Sequence, residues 1–189
     1  MKIRDSGMPD RKMWEKFFNP KKILTVLELN NHVNKVAEFG CGYGTFTIPA
    51  AKIISGKIYA FDIEQDMVRM TSEEVKKQNI KNVQTVLRDF MIEGSGLPND
   101  SVDYVMLFNI LHLEKPEVLL KEAKRILTKE GKLGIIHWNY DPSTPRGPSM
   151  ETRPKPKQCI QWAQAVGFCD PVEFNLKPHH YGIVMSKKG

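Results

Sequence analysis

Three glycines at alternate positions, Gly40, Gly42 and Gly44, stand between a short apolar run (36–39) and a helix-like pattern, with Glu38 two residues ahead of the first. Glycine lacks a Cβ, so this backbone can turn sharply and let a ligand approach its amides. The first turn of a following helix carries unpaired N–H groups and a partial positive charge. At the end of the first strand of an α/β sheet, such features make a nucleotide-cofactor site. Polar residues recur where later apolar runs end. Asp62 lies 22 residues after Gly40, near the spacing of a ribose-binding acid. A carboxylate there accepts hydrogen bonds from both ribose hydroxyls. Asp89 follows the run 83–87, and Asn109 ends the run 102–108. His112 comes just beyond, with an imidazole that titrates near neutrality.

The glycine spacing separates two kinds of cofactor. A dinucleotide fingerprint needs G-x-G-x-x-G, and here Thr45 occupies the third glycine position, which disfavours an NAD-dependent oxidoreductase. With Glu38, the stretch instead resembles motif I of the class I S-adenosylmethionine-dependent methyltransferases. That cofactor has no phosphate, and an acid beside the loop helps to hold its cationic amino group. The order of motifs from Glu38 through Trp138, with the terminal hairpin, is similar to this superfamily. More narrowly it resembles the ubiquinone/menaquinone-biosynthesis-like (methyltransferase type 11) group.

The resemblance implies a Rossmann-like fold that binds S-adenosylmethionine and releases S-adenosylhomocysteine. It implies a cofactor loop of Glu38, Phe39, Gly40, Cys41, Gly42 and Gly44. Asp62 would hold the ribose, with Ile63 beside the adenine. Asp89 would accept from the adenine amine, with Phe90 on an adenine face, and Asn109 would fall in motif IV; the alternatives are a loop acid paired with Arg88 for Asp89 and a core aromatic for Phe90. Ile110 and Leu111 replace the prolines of the N-P-P-[YF] signature, which argues against an enzyme that methylates exocyclic amines of nucleic-acid bases.

Transfer from a sulfonium is an in-line displacement, for which a protein mainly supplies proximity and alignment. A neutral hydroxyl or amine acceptor must also lose a proton, and His112 is the candidate base and acceptor contact. The alternative for His112 is a packed or capping residue. Trp138 and Tyr140 can line an apolar or cationic acceptor, and Arg146 can hold a carboxylate or phosphate. Their alternatives are edge packing and a surface charge. His179 and His180 read as a turn. No cysteine or carboxylate cluster accompanies them, so no metal site is expected.

These residues need a scaffold. Proline suits a first helical position, so a helix is expected from Pro20 to about Asn30. Strands are expected at 36–39, 57–61, 83–87, 102–108 and 132–138. Helices are expected at 45–54, 64–78 and 116–127, with a turn at 128–131. A proline-rich loop at 139–157 crosses the strand ends, a helix follows at 157–166, and strands at 171–176 and 181–187 form a closing hairpin. Five β/α units and a hairpin give an α/β fold: a seven-stranded, mostly parallel sheet with one antiparallel strand and helices on both faces. The 189 residues suit a single domain. Residues 1–31 would form an N-terminal helical cap, 32–138 the cofactor core, and 139–189 the acceptor-side loop, helix and hairpin. In the cap, Trp14, Phe17 and Phe18 either cover the cofactor or pack on the sheet edge.

A hydrophobic content of 41% and a charged content of 26% are ordinary for a globular protein. Three dispersed cysteines make neither a disulfide framework nor a zinc site, as expected in a reducing cytoplasm. The first five residues contain no signal-like apolar core, and no run suits membrane insertion. The net charge of +6 is spread along the chain, and its densest cluster is interrupted by Glu15 and aromatics. A small-molecule acceptor is therefore favoured and nucleic acid disfavoured as a partner. An RNA or protein methyltransferase and a non-catalytic cofactor-binding module stay open as alternatives.

Overall fold

The computed structural model describes residues 10–188. The first five residues, read above for a signal sequence, lie outside them. The strands β1 (Lys35–Phe39), β2 (Lys57–Asp62), β3 (Val83–Leu87), β4 (Val102–Phe108), β5 (Leu127–Trp138), β6 (Phe168–Leu176) and β7 (His180–Lys187) form one sheet in the order β3-β2-β1-β4-β5-β7-β6. All pairings from β3 to β5 are parallel, and β7 runs antiparallel to both of its neighbours. This is the expected sheet. Its order reverses between β1 and β4, and in open α/β sheets the ligand sits at the strands' carboxyl ends beside that switch point.

The helices are α1 (Arg11–Glu15), α2 (Pro20–Val26), α3 (Thr47–Ile53), α4 (Gln65–Lys77), α5 (Phe90–Glu93), α6 (Pro116–Ile126) and α7 (Pro156–Ala165). Successive strand side chains alternate between faces, so the central strands feed two cores. Ala37, Val105, Leu107 and Ile135 pack with Leu119 and Ala123 of α6 and with Cys159 and Ala163 of α7. Val36, Ala60, Met106 and Ile136 pack with Leu24 of α2 and with Ala50 and Ala51 of α3.

Several boundaries differ from the sequence expectation. Helix α3 begins at Thr47, two residues late, because the glycine loop continues through a turn in which Gly44 N donates to Cys41 O at 2.9 Å. Helix α2 stops at Val26, where Glu28 takes a positive φ of 65°. Strand β5 absorbs the expected turn at 128–131 as an irregularity in its pairing with β4. Strand β6 starts three residues early, at Phe168, and resumes its pairing at Val172 after a break at Asp170 and Pro171. Proline has no N–H to give a ladder, so a bulge is where a strand tolerates it. His180 is not part of the turn. It opens β7 and is 1% exposed.

Candidate active site

Strand β1 delivers Glu38 to the sheet's carboxyl edge, and Gly40, Gly42 and Gly44 then take positive φ values of 77°, 53° and 74°. These are left-handed conformations that a Cβ disfavours. The space is tight as well: a Cβ on Gly40 would lie 3.0 Å from Ile110 Cδ1, and one on Gly44 would lie 3.1 Å from Thr71 Cγ2.

The loop's amides turn inward. Gly40 N and Cys41 N both donate to Phe61 O at 2.9 Å. Gly42 N donates to Asp62 Oδ2 at 2.9 Å, and Gly42 O accepts from Thr71 Oγ1 at 2.7 Å. The sequence suggested amides open to a ligand; the structure shows these donors already spent on the protein. Such a loop makes a poor phosphate cradle, since that role needs free N–H groups.

The loop's electrostatics are acidic. Asp62 is 5% exposed, and its second oxygen accepts from Glu64 N at 3.0 Å. Burial raises its pKa. Glu38 is 3% exposed, and Thr47 Oγ1 donates to its Oε2 at 2.5 Å. Burial pushes the Glu38 carboxyl up to about 8, against the lowering effect of the Thr47 bond. Neither acid has a cationic partner among the described residues. Two buried acids lacking a counter-charge, beside a loop with few free amides, complement a ligand that is cationic and lacks phosphate.

The other expected cofactor residues take varied places. Cys41 is buried at the loop's base, with its thiol pKa raised by burial. Ile63 is half-buried just past Asp62. Asp89 is half-buried, caps α5 and accepts from Met91 N at 3.2 Å. Arg88 turns away to Gly94 O at 2.7 Å. The rings of Phe39 and Phe90 serve the core: Phe39 stacks on Phe61 at 5.2 Å, and Phe90 meets Phe39 edge-on at 5.2 Å. Asn109 holds a positive φ of 56°, and its N donates to Ile136 O at 2.7 Å.

On the acceptor side, the His112 ring lies 5.6 Å from that of His137, and burial lowers the His112 pKa. Trp138 is 2% exposed, within an aromatic group that includes Phe17 at 5.2 Å and His180 at 4.2 Å. Phe18 stands 4.4 Å from His180 and 5.2 Å from Phe46. The N-terminal aromatics thus pack against the ends of β5 and β7. Burial pushes the His180 pKa down to about 3. Tyr140 is exposed, with Lys155 Nζ 4.4 Å above its ring.

Arg146 is exposed, and its engaged group is its carbonyl. The arginine that shapes this loop is Arg153, which the sequence did not single out. It is 6% exposed and donates to the carbonyls of Asn139, Asp141, Arg146 and Pro148 and to Thr144 Oγ1. Thr71 was also missed. Its signal was present: a polar residue in the buried Met67, Thr71, Val75 stripe of α4.

A doubly wound sheet with this strand order, and an acid-flanked glycine loop at its switch point, are the architecture of the class I S-adenosylmethionine-dependent methyltransferases. Residues 36–131 match the family model described as "Methyltransferase domain", and the chain belongs to that family. Its fold is similar to that of an S-adenosylmethionine-dependent methyltransferase from Aquifex aeolicus, with a TM-score of 0.82, 25% identity and 93% of each chain covered. A demethylmenaquinone methyltransferase from Lactobacillus johnsonii is 32% identical over 102 residues, which is 51% of this chain and 40% of that protein. An (S)-coclaurine N-methyltransferase from Thalictrum flavum is 27% identical over 117 residues, 58% of this chain and 32% of that protein. The chain therefore spans less than half the length of these two curated relatives. Among the described residues, no helix is long and apolar enough to cross a membrane.

Proposed function

We propose that this chain transfers a methyl group from S-adenosylmethionine to a small-molecule acceptor. The observation that carries the reading is the placement of Asp62: one oxygen is fixed by Gly42 N at 2.9 Å and the other by Glu64 N at 3.0 Å. Each carboxylate oxygen keeps a further lone pair for a ribose hydroxyl. Glu38 would face the cofactor's cationic amino group, and Asp89 would accept from the adenine amine. The cofactor supplies an activated sulfonium methyl; the protein's part is to orient it, exclude water and receive a proton from the acceptor where one is lost.

Two features favour a small acceptor. The 139–153 loop is gathered by Arg153 beside the carboxyl end of β5. Trp14, Phe17 and Trp138 form an apolar wall at the same edge. The relatives' names span enzymes of small molecules, of rRNA and of a ribosomal protein, so the reading rests on the two structural features.

The test uses cofactor carrying an isotopic label in its methyl group, incubated with the protein and a cell extract split by size. The expected result is label in the low-molecular-weight fraction. Label confined to RNA or protein would overturn the small-molecule reading, and label in neither would favour a non-catalytic module.

A further inference from the structure

Three side chains at the carboxyl ends of β4 and β5 carry buried polar atoms without a hydrogen-bond partner among the described residues. They are both amide atoms of Asn109, Nδ1 of His112 and Nε2 of His137. Asn109 is tied to the neighbouring strand through Ile136 O, next to His137, and the two imidazoles meet edge to face at 5.6 Å. His137 is fully buried, and its Nδ1 accepts from Trp138 N at 3.0 Å. That bond places the ring proton on Nε2, which becomes a sequestered donor with no acceptor. Buried polar groups are nearly always paired, so several unpaired ones together mark a place that a ligand completes.

The surrounding groups set the ligand's charge. His137 is faced by His112, His180 and Arg153, with the Tyr181 ring stacked at 6.3 Å. Tyr181 Oη donates to Pro154 O at 2.9 Å and lies 3.4 Å from Cys159 Sγ. None of these is a carboxylate. Arg153 spends its donors on loop carbonyls and Thr144, so it lends a positive field rather than a contact. Its nearest acid, Asp141, is exposed on the same loop. Glu38 and Asp62 are held in the cofactor loop. An ammonium group has no lone pair for the His137 donor, and it would meet the field of Arg153 with no acid to pair with. An acidic hydroxyl would meet a donor for its oxygen and a neutral imidazole for its proton.

We propose that His112, His137 and Asn109 form the acceptor subsite, and that it takes a phenol or enol methylated on oxygen. The inference rests on the methyl-transfer reading above. The acceptor's O–H bond breaks and its proton passes to the open nitrogen of His112. An electron pair of the oxygen forms the new O–C bond, while the pair of the broken C–S bond stays on sulfur. His137 Nε2–H steadies the oxygen as charge develops, and His112 later releases its proton to water.

The test is two-bond ¹H–¹⁵N NMR of the histidine rings in wild-type protein saturated with S-adenosylhomocysteine. Catechol serves as the oxygen-acid probe and benzylamine as the ammonium probe. His112→Gln and His137→Gln assign the signals. If burial of His137 keeps its variant from folding, His112→Gln suffices, because the His137 ring is then identified by its wild-type contact with His112. The expected result is a His137 ring with its proton on Nε2, saturable shifts of both rings with catechol, and none with benzylamine. Shifts with benzylamine instead, or rings unmoved by catechol in protein that S-adenosylhomocysteine saturates, would overturn the subsite. Failure of S-adenosylhomocysteine to bind would strike the cofactor reading itself, and the subsite would fall with it.

Discussion

Glu38 and Thr47, nine residues apart, meet in a 2.5 Å hydrogen bond sealed from solvent. The bond joins the end of β1 to the first residue of α3 across the glycine loop, so the carboxyl is fixed before any ligand arrives. It is also kept largely protonated near neutrality, because burial lifts its pKa to about 8.

This sets a pH dependence of folding in the cofactor-free protein. The unfolded chain ionises Glu38 near 4.5, and the folded chain does so near 8. Between these values the folded state holds the extra proton. The stabilisation is fully present below the lower value and is lost as pH rises through the upper one, by up to about 4–5 kcal/mol. Urea unfolding of wild type and Glu38→Gln across this window checks it. The variant should lose the Glu38 part of the downward slope and keep the smaller part that Asp62, also raised by burial, contributes; an unchanged slope would assign it to other groups.

Gly44→Ala should weaken both fold and loop. Its φ of 74° is left-handed, and a new Cβ would lie 3.1 Å from Thr71 Cγ2. The strain costs about 1–2 kcal/mol, and Thr71 must give way while it donates to Gly42 O. Thermal unfolding should show a fall of roughly 2–8 °C. Affinity for S-adenosylhomocysteine should fall too, since Gly42 also anchors Asp62.

Arg153 is predicted to hold the 139–153 loop through shape as well as charge. Arg153→Met leaves several carbonyls without their donor and should cost about 2 kcal/mol. Arg153→Lys should rescue little, because one ammonium cannot span the fork of bonds to Asn139, Asp141, Arg146 and Pro148. Limited proteolysis should cut within 139–153 faster in both variants. Cleavage at the wild-type rate in Arg153→Lys would show that charge alone suffices.

The legible parts of this protein were those encoded locally. The glycine spacing, the acids at strand ends and the apolar runs of β1 and β4 lie in short windows, and the sheet follows from them. The closing hairpin was legible as well, although Pro171 drew the start of β6 three residues late because it marks a bulge rather than an end. Arg153 was hidden because its partners are backbone carbonyls, which have no sequence signature. His137 was hidden because strand alternation gave it a core position, and only the neighbouring strands reveal an imidazole with an unmet donor. The amides of Gly40 to Gly42 looked open to a ligand because sequence cannot show that Phe61 and Asp62 return to occupy them.

The loop and its two buried acids should bind a cationic cofactor that lacks phosphate. Calorimetric titration of wild type and Asp62→Asn with S-adenosylhomocysteine and with NAD tests it most directly. Wild type should bind S-adenosylhomocysteine with one site per chain and show no heat with NAD. Asp62→Asn should bind S-adenosylhomocysteine about 10–100-fold more weakly, the equivalent of one or two charge-assisted hydrogen bonds. Binding of NAD to the wild type, or an affinity for S-adenosylhomocysteine unchanged by Asp62→Asn, would overturn this role for the loop and Asp62.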